Sequence, residues 1–265
     1  LDGKSAMPRI KKFLTEAAKV VPRSVLSHQE YGSTQLGASE FKELMGDISF
    51  GYPKPSKLIE GLLALSPVDG EPTIVLDFFA GSGTTGQAVM QTCARDGHPR
   101  QFILIQLPDK ASPANVTTSH RTIADIARER LRRAGHAIIN LSGLVGDGVD
   151  VGFRSLRVET SNMADTLATA EDLVQASLAE AIHSVKSDRA DEDLLFEVMI
   201  DKGIDLAESI AVEDMADRRV LTVADGALIA CFGEEVTDDV VTAIARRRPL
   251  RAVFLDAGFP SDAAR

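Results

Sequence analysis

The chain has 265 residues, 44% of them hydrophobic, and a mean hydropathy close to zero. It is long enough for one or two hydrophobic cores. It contains no apolar run near the roughly 18 residues of a membrane span and no signal peptide. The two cysteines are far apart and the five histidines show no ligand spacing, which argues against a disulfide framework and a metal site and favours a reducing cytoplasm.

The formal net charge of −10 is unevenly distributed along the chain. Residues 151–265 contain 12 basic and 23 acidic side chains, a net charge of −11, whereas residues 1–150 contain 17 and 16, a net charge of +1. Because phosphate contacts need a basic surface, we expect the acidic part to contact other proteins. A solvated acidic face without a partner is the alternative.

The first part of the chain is predicted to contain two helices separated by a polar loop. Residues 9–21 have helical spacing of apolar positions, residues 27–38 are polar enough to predict a loop, and residues 40–45 form a short helix. The Pro-Lys-Pro segment at 53–55 cannot lie within a helix. Ser56 is therefore predicted to cap a helix over residues 57–65.

A β-α-β unit is predicted next, because strand patterns at 73–78 and 102–107 flank a helical segment at 84–95. Asp77 and Gln106 fall at the carboxyl ends of the two strands, where parallel sheets bind ligands. The glycine turn at 81–83 lets the backbone approach a ligand, and the following helix offers free amide donors. We expect one of Phe78 and Phe79 to fill the core and the other, Phe79, to line the site.

Two cofactor classes fit the glycine turn. Gly81, Gly83 and Gly86 match the dinucleotide pattern G-x-G-x-x-G, which favours a nicotinamide or flavin cofactor and requires an acid at the end of the second strand. That position holds Gln106, and Asp109 lies slightly beyond it. An acid ahead of the turn, Asp77, instead suits a cationic group such as the ammonium of S-adenosylmethionine.

Beyond the β-α-β unit a helix is predicted over residues 121–134, with its arginines mostly outside and Gly135 as its stop. Residues 136–141 are predicted as a strand and 140–149 as a linker. The remainder is predicted to be an α+β module with an Asp225-Gly226 hairpin turn. Its predicted elements are strands at 152–158, 219–224, 227–232 and 250–255 and helices at 163–185, 191–202 and 237–246.

Two motifs together resemble a known family. Residues 50–59 (FGYPKPSKLI) followed by residues 75–85 (VLDFFAGSGTT) are similar to the β-class amino-methyltransferases of DNA. More narrowly, they resemble the modification subunit of type III restriction–modification systems. Residues 102–108, 123–130 and 223–232 extend the resemblance through nearly the whole chain.

The resemblance implies a fold, a cofactor and a domain plan. The implied fold class is α/β. It consists of part of the Rossmann-like sheet of S-adenosylmethionine-dependent methyltransferases, followed by the α+β module. Residues 1–46 would be the tail of a recognition region, 47–142 the S-adenosylmethionine-binding part and 150–265 an interaction domain. The cofactor-binding residues it implies are Tyr52, Pro53, Lys54, Asp77, Phe79, Ala80, Gly81, Ser82, Gly83, Thr84 and Gln106.

The family's catalytic Asp/Asn-Pro-Pro-Tyr/Phe motif has no counterpart, since the chain contains no Pro-Pro dipeptide. We therefore expect the chain to be the C-terminal part of a longer bacterial, cytoplasmic DNA adenine-N6 methyltransferase, without catalytic residues and inactive alone. Implied partners are double-stranded DNA, a second modification subunit and a restriction (helicase-nuclease) subunit. A non-catalytic binding module and an NAD-dependent oxidoreductase are the alternatives, and the target base and sequence are not readable.

Overall fold

The computed structural model describes residues 22–66, 73–111, 122–142, 149–163 and 185–260. The chain is a mixed α/β protein that divides into two compact units, Leu1–Ser155 and Leu156–Arg265. Over these described ranges, no helix is long and apolar enough to cross a membrane. The helix predicted at 9–21 and most of the one predicted at 163–185 lie outside the described residues.

The first unit begins with helices α1 (His28–Tyr31), α2 (Thr34–Met45) and α3 (Ser56–Leu63). The predicted loop over residues 27–38 is wrong, because Ser33 caps α2 by accepting the Leu36 amide at 3.3 Å and the helix buries Phe41 and Met45. The predicted cap at Ser56 is also wrong. Pro55 holds the cap position, and the Ser56 amide donates to Glu40 Oε2 at 2.8 Å.

The β-α-β unit is confirmed as strand β1 (Thr73–Asp77), helix α4 (Thr84–Asp96) and strand β2 (Arg100–Leu104). The strands are parallel, with Thr73 opposite Arg100 and Asp77 opposite Leu104. β2 starts two residues earlier than predicted and ends three residues earlier, so Gln106 lies just beyond the strand. The carboxyl ends of both strands therefore lie at the same edge, where the glycine turn leaves β1.

The two faces of this small sheet differ in burial. Phe102 and Leu104 pack against Met90 of α4 and against Leu131 and Ile138. The opposite face is apolar and open, with Ile74 59%, Leu76 47% and Ile103 49% exposed. Alternation along the strands produces this difference, since successive side chains point to opposite faces.

Helix α5 spans Ile123–Ser142, so the predicted stop at Gly135 and the predicted strand at 136–141 are both wrong. The apolar stripe of α5 continues through Gly135 to Ile138, and a Cβ at Gly135 would lie 3.1 Å from the Val151 Cβ. Glycine here permits close packing and does not end the helix. The first three residues of the predicted linker therefore belong to α5, and residues 143–148 lie outside the described ranges.

The second unit contains helix α6 (Asp191–Asp201), strands β3 (Ile210–Met215), β4 (Arg218–Val223) and β5 (Leu228–Cys231), helix α7 (Asp238–Arg247) and strand β6 (Arg251–Phe254). The sheet order is β3-β4-β5-β6, antiparallel except for the parallel β5–β6 pair. Leu195 and Met199 of α6 pack on one face. Val240 and Ile244 of α7 pack on the other face.

The predicted hairpin is confirmed as β4–β5, but its connection runs over residues 224–227 and includes left-handed Ala224 and Asp225. It is longer than the two-residue type I′ turn predicted from Asp225-Gly226. The helices predicted at 191–202 and 237–246 are confirmed, as is the last strand. Residues 152–158 form no strand, which makes that prediction wrong.

An ion pair closes the connection between α4 and β2. Both nitrogens at the end of the Arg100 side chain donate to the Asp96 carboxylate at 2.8 Å. These bonds lower the pKa of Asp96 from 3.8 to about 2. Because a lowered carboxyl pKa stabilises the fold above the unfolded value, this contribution is present above pH 3.8 and is lost as the pH falls toward 2.

We expect Asp96→Asn to lower the free energy of unfolding by about 1 kcal/mol at pH 7, since solvent screening weakens a pair whose acid is 31% exposed. The difference from the unmodified chain should shrink as the pH falls below 3.8. Urea unfolding at pH 7 and at lower pH measures both effects. Asp47→Asn, at an exposed acid, is the control, and equal losses in the two variants would contradict the prediction.

Candidate cofactor site

The turn between β1 and α4 is built on backbone pairing that continues beyond the strands. The Ile105 amide donates to the Asp77 carbonyl at 2.8 Å, and the Ala80 amide donates to the Ile105 carbonyl at 3.2 Å. Gly81 and Gly83 then adopt left-handed conformations, with φ of 53° and 79°. A Cβ at Gly83 would also lie 3.3 Å from Ala127 of α5. The turn therefore requires glycine at these positions.

Asp77 is held in a defined orientation at the end of β1. Its Oδ1 accepts the Phe79 amide at 3.0 Å, and its Oδ2 accepts the Thr85 hydroxyl at 2.6 Å. The residue is half-buried. Each carboxylate oxygen can accept a second hydrogen bond, so Asp77 is fixed in place and still able to bind a cationic donor.

Gln106 has a different contact from the one expected. Its Oε1 accepts the Gly81 amide at 2.8 Å, and its Nε2 donates to the Leu107 carbonyl at 3.2 Å. The side chain thus supports the glycine turn from the neighbouring strand end. Its acceptor oxygen has one lone pair left, and it carries no negative charge for a ribose diol.

The Pro-Lys-Pro segment lies against the turn and against α2. The Thr84 hydroxyl donates to the Lys54 carbonyl at 3.3 Å, which joins two motifs 30 residues apart. Pro53 and Pro55 are buried, whereas Lys54 is exposed. On the other side, a Cβ at Gly37 of α2 would lie 2.3 Å from the Pro53 carbonyl oxygen. This close approach holds the segment in place.

Aromatic side chains are exposed beside both motifs. Tyr52 is 80%, Phe78 61% and Phe79 89% exposed. The prediction that Phe78 or Phe79 fills the core is therefore wrong. Exposed rings next to a glycine turn can cover the flat face of a ligand ring.

Arg130 of α5 lies beneath the turn and is fully buried, with a relative exposure of 0%. Its Nη1 donates to the Ser82 and Thr84 hydroxyls, and its Nε donates to Gln87 Oε1, each at 2.7 Å. Its guanidinium carbon is 5.4 Å from the centre of the Phe41 ring. Burial lowers the pKa of Arg130 to about 10, with an opposing effect from the negative charge of Glu40.

The prediction that Arg130 points outward with the other arginines is wrong, and sequence reasoning missed the residue. The sequence feature that could have predicted its burial is its position on the apolar stripe of α5. Arg130 lies four residues after Ile126 and four before Ala134, and both of these residues are buried. An arginine on such a stripe is a buried charge.

The structure brings most of the predicted site residues together at one edge of β1 and β2. Asp77, Ala80, Gly81 and Gln106 are joined by backbone and side-chain bonds. The Ser82 and Thr84 hydroxyls contact Arg130 inside the protein, so they support the turn. Among the residues that the structure describes, no group of three or more His, Cys, Asp or Glu side chains is suited to a metal.

These features make up a candidate small-molecule site on an α/β framework, with a fixed carboxylate, a glycine turn at a helix N-terminus and exposed rings. No protein-family model matches the chain. Comparison with curated proteins identifies relatives of this chain.

Three Mod subunits of type III restriction-modification enzymes are 35–39% identical to parts of this chain. The StyLTI Mod subunit of Salmonella typhimurium is 35% identical over 149 residues, which is 56% of this chain and 22% of the relative. The EcoPI Mod subunit of Escherichia phage P1 is 35% identical over 133 residues, 49% of this chain and 20% of the relative. The type II methyltransferase M.KpnI of Klebsiella pneumoniae is 25% identical over 132 residues, 49% and 31% of the two chains.

The chain is therefore related to the modification subunits of type III restriction-modification enzymes, as the motifs predicted. The matched part spans about a fifth of the length of the first two Mod relatives, 22% and 20%.

Proposed function

We propose that the chain is the S-adenosylmethionine-binding C-terminal portion of a DNA adenine-N6 methyltransferase, the modification subunit of a type III restriction–modification system. The observation that supports it best is the oriented Asp77 carboxylate beside a glycine turn that is bonded to the Pro-Lys-Pro segment. The relationship to type III Mod subunits supports the same assignment.

The residues present fit this cofactor. Asp77 would bind the ammonium group, the first turn of α4 would offer amide donors to the carboxylate, and Tyr52 and Phe79 would contact the adenine ring. When bound, S-adenosylmethionine supplies a methyl group activated by its sulfonium charge. The protein side would be formed by Tyr52, Pro53, Lys54, Asp77, Phe79, Ala80, Gly81, Ser82, Gly83, Thr84 and Gln106.

The β1–β2 pair has one open apolar face, which supports a Rossmann-like domain whose sheet is covered on both faces. Parallel sheets are normally covered on both faces, yet Ile74, Leu76 and Ile103 are exposed on one face. In the proposed plan, residues 47–142 belong to this sheet domain and residues 1–46 connect it to a recognition region. Residues 150–265 form an interaction domain.

We assign no catalytic residue to this chain and propose that it is inactive alone. Double-stranded DNA, a second modification subunit and a restriction (helicase-nuclease) subunit are its proposed partners. Because residues 151–265 have a net charge of −11, the interaction domain would contact protein partners and not phosphates.

A dinucleotide cofactor fits the site less well. It needs an acid at the end of β2 to bind the ribose, and Gln106 there already accepts the Gly81 amide. The carboxylate of Asp77 at the turn would also repel a pyrophosphate.

Isothermal titration calorimetry of the 265-residue chain with S-adenosylmethionine and with NAD tests the proposal. We expect S-adenosylmethionine to bind at least about 100-fold more tightly than NAD, a difference of roughly 2.7 kcal/mol. Binding of NAD alone, or of neither ligand, would contradict the assignment. Methyl transfer to double-stranded DNA by the chain alone would contradict its proposed inactivity.

A further inference from the structure

We infer that Arg130 is a positioning residue, which fixes the cofactor turn and the Pro-Lys-Pro segment in their binding arrangement before any ligand arrives. This inference rests on the proposed function. Arg130 itself is fully buried, so it acts through the residues that it contacts.

The hydrogen bonds that Arg130 makes within the described residues all reach the start of α4. Ser82 lies inside the turn, Thr84 is the first residue of the helix, and Gln87 is one turn further along. One planar guanidinium binds all three at 2.7 Å. Since such a fork is rigid, the three side chains are held in one geometry relative to α5.

Thr84 extends this influence to the second motif. Its hydroxyl accepts from Arg130 Nη1 and donates to the Lys54 carbonyl. The buried cation is thus two hydrogen bonds away from the backbone of the Pro-Lys-Pro segment. Removing the guanidinium leaves the Thr84 hydroxyl free to rotate and weakens the link between the two motifs.

Stability alone does not explain an arginine at this position. Nη2 has no hydrogen-bond partner within the described ranges, and no ion pair to Arg130 is found there. Glu40, whose charge acts on Arg130, bonds to the Ser56 amide through its Oε2. Burying a charge without an ion-pair partner is unfavourable, so the three hydrogen bonds to Ser82, Thr84 and Gln87 have to offset that cost.

The position of the charge also suits the proposed ligand. The guanidinium lies at the N-terminal turn of α4, where the helix dipole is already positive. Two positive contributions at one place repel each other, and an anionic group of the ligand would reduce this repulsion in addition to the charge of Glu40. The carboxylate of S-adenosylmethionine is such a group, and Asp77 provides the opposite charge for its ammonium.

The test compares Arg130→Met and Arg130→Lys with the matched control Arg133→Met in the 265-residue chain. Arg133 is on the same helix but donates to the Met45 carbonyl at 2.8 Å and to Glu129, away from the turn. The measurements are amide hydrogen exchange of residues 80–87 without ligand, the Kd for S-adenosylmethionine, and Tm.

We expect Arg130→Met to accelerate exchange in residues 80–87 at least about 10-fold and to raise the Kd at least about 10-fold. Its Tm should also fall, because Gln87 Oε1 and the Ser82 and Thr84 hydroxyls lose a buried hydrogen-bond donor. Arg130→Lys keeps the charge but loses the fork, so its exchange rate and Kd should be intermediate. Arg133→Met should change the Kd by less than about 2-fold.

Unchanged exchange and unchanged Kd in Arg130→Met would overturn the inference, as would changes that merely follow Tm in the same ratio as in Arg133→Met. If the unmodified chain binds no S-adenosylmethionine, the proposed function fails. The exchange measurement then still decides whether Arg130 positions the turn.

Discussion

Replacing Asp77 with alanine is expected to weaken S-adenosylmethionine binding by about 100-fold, because a charge-assisted hydrogen bond to the ammonium contributes roughly 1.5–3 kcal/mol and the turn loses its support. Both carboxylate oxygens hold the turn, one through the Phe79 amide and the other through the Thr85 hydroxyl. Calorimetric titration of the variant measures the effect. Circular dichroism should show an unchanged fold.

Two further variants separate the charge of Asp77 from its orientation and position. Thr85→Val removes only the bond to Oδ2, so we expect a smaller loss of about 5- to 10-fold. Asp109→Ala, at an exposed acid just beyond β2, should leave the Kd unchanged. A larger loss in Asp109→Ala than in Asp77→Ala would contradict the role proposed for Asp77, and equal binding by Asp77→Ala and the unmodified chain would exclude it.

Gly37→Ala is expected to be the most destabilising single substitution considered for the first unit. The new Cβ would lie 2.3 Å from the Pro53 carbonyl oxygen and 2.7 Å from two other backbone atoms. Backbone cannot rotate away as a side chain can, so overpacking of about 3 kcal/mol or more outweighs the roughly 1 kcal/mol gained in helix propensity. We expect Tm to fall by about 5–10 °C, together with weaker cofactor binding.

Ser39→Ala is the matched control for Gly37→Ala. It lies on the exposed side of the same helix and also raises helix propensity, so its Tm should equal or slightly exceed that of the unmodified chain. Differential scanning calorimetry of both variants checks the prediction. A Gly37→Ala variant as stable as Ser39→Ala would mean that α2 and the Pro-Lys-Pro segment do not pack as closely as the structure indicates.

The β-α-β unit was predictable because its signals are local. β-branched apolar runs mark the strands, and Gly81 and Gly83 mark a turn that needs left-handed backbone. The order of Asp77, turn and helix then predicted which edge of the sheet would hold a site. These features depend on neighbours in sequence, so a single sequence displays them.

The support beneath the turn was not predictable in the same way, because it depends on contacts between distant segments. Arg130 bonds to Ser82, 48 residues away in sequence, and Gln106 bonds to Gly81, 25 residues away. Gly135 suggested a helix stop, yet it allows close packing on Val151. Likewise, Gly37 lies in a polar stretch that suggested a loop, yet it packs closely on the Pro53 carbonyl. Tertiary packing decides such positions.

The exposure of Tyr52 has an optical consequence. The chain contains no tryptophan and only two tyrosines, Tyr31 and Tyr52. Tyr31 is half-buried against Gly61, whereas Tyr52 stands in water at 80% exposure beside the Pro-Lys-Pro segment. A soluble quencher such as iodide should therefore quench mainly the fluorescence of Tyr52. An adenine ring stacked on that phenol would protect it, so ordinary ultraviolet fluorescence can follow occupancy without any label.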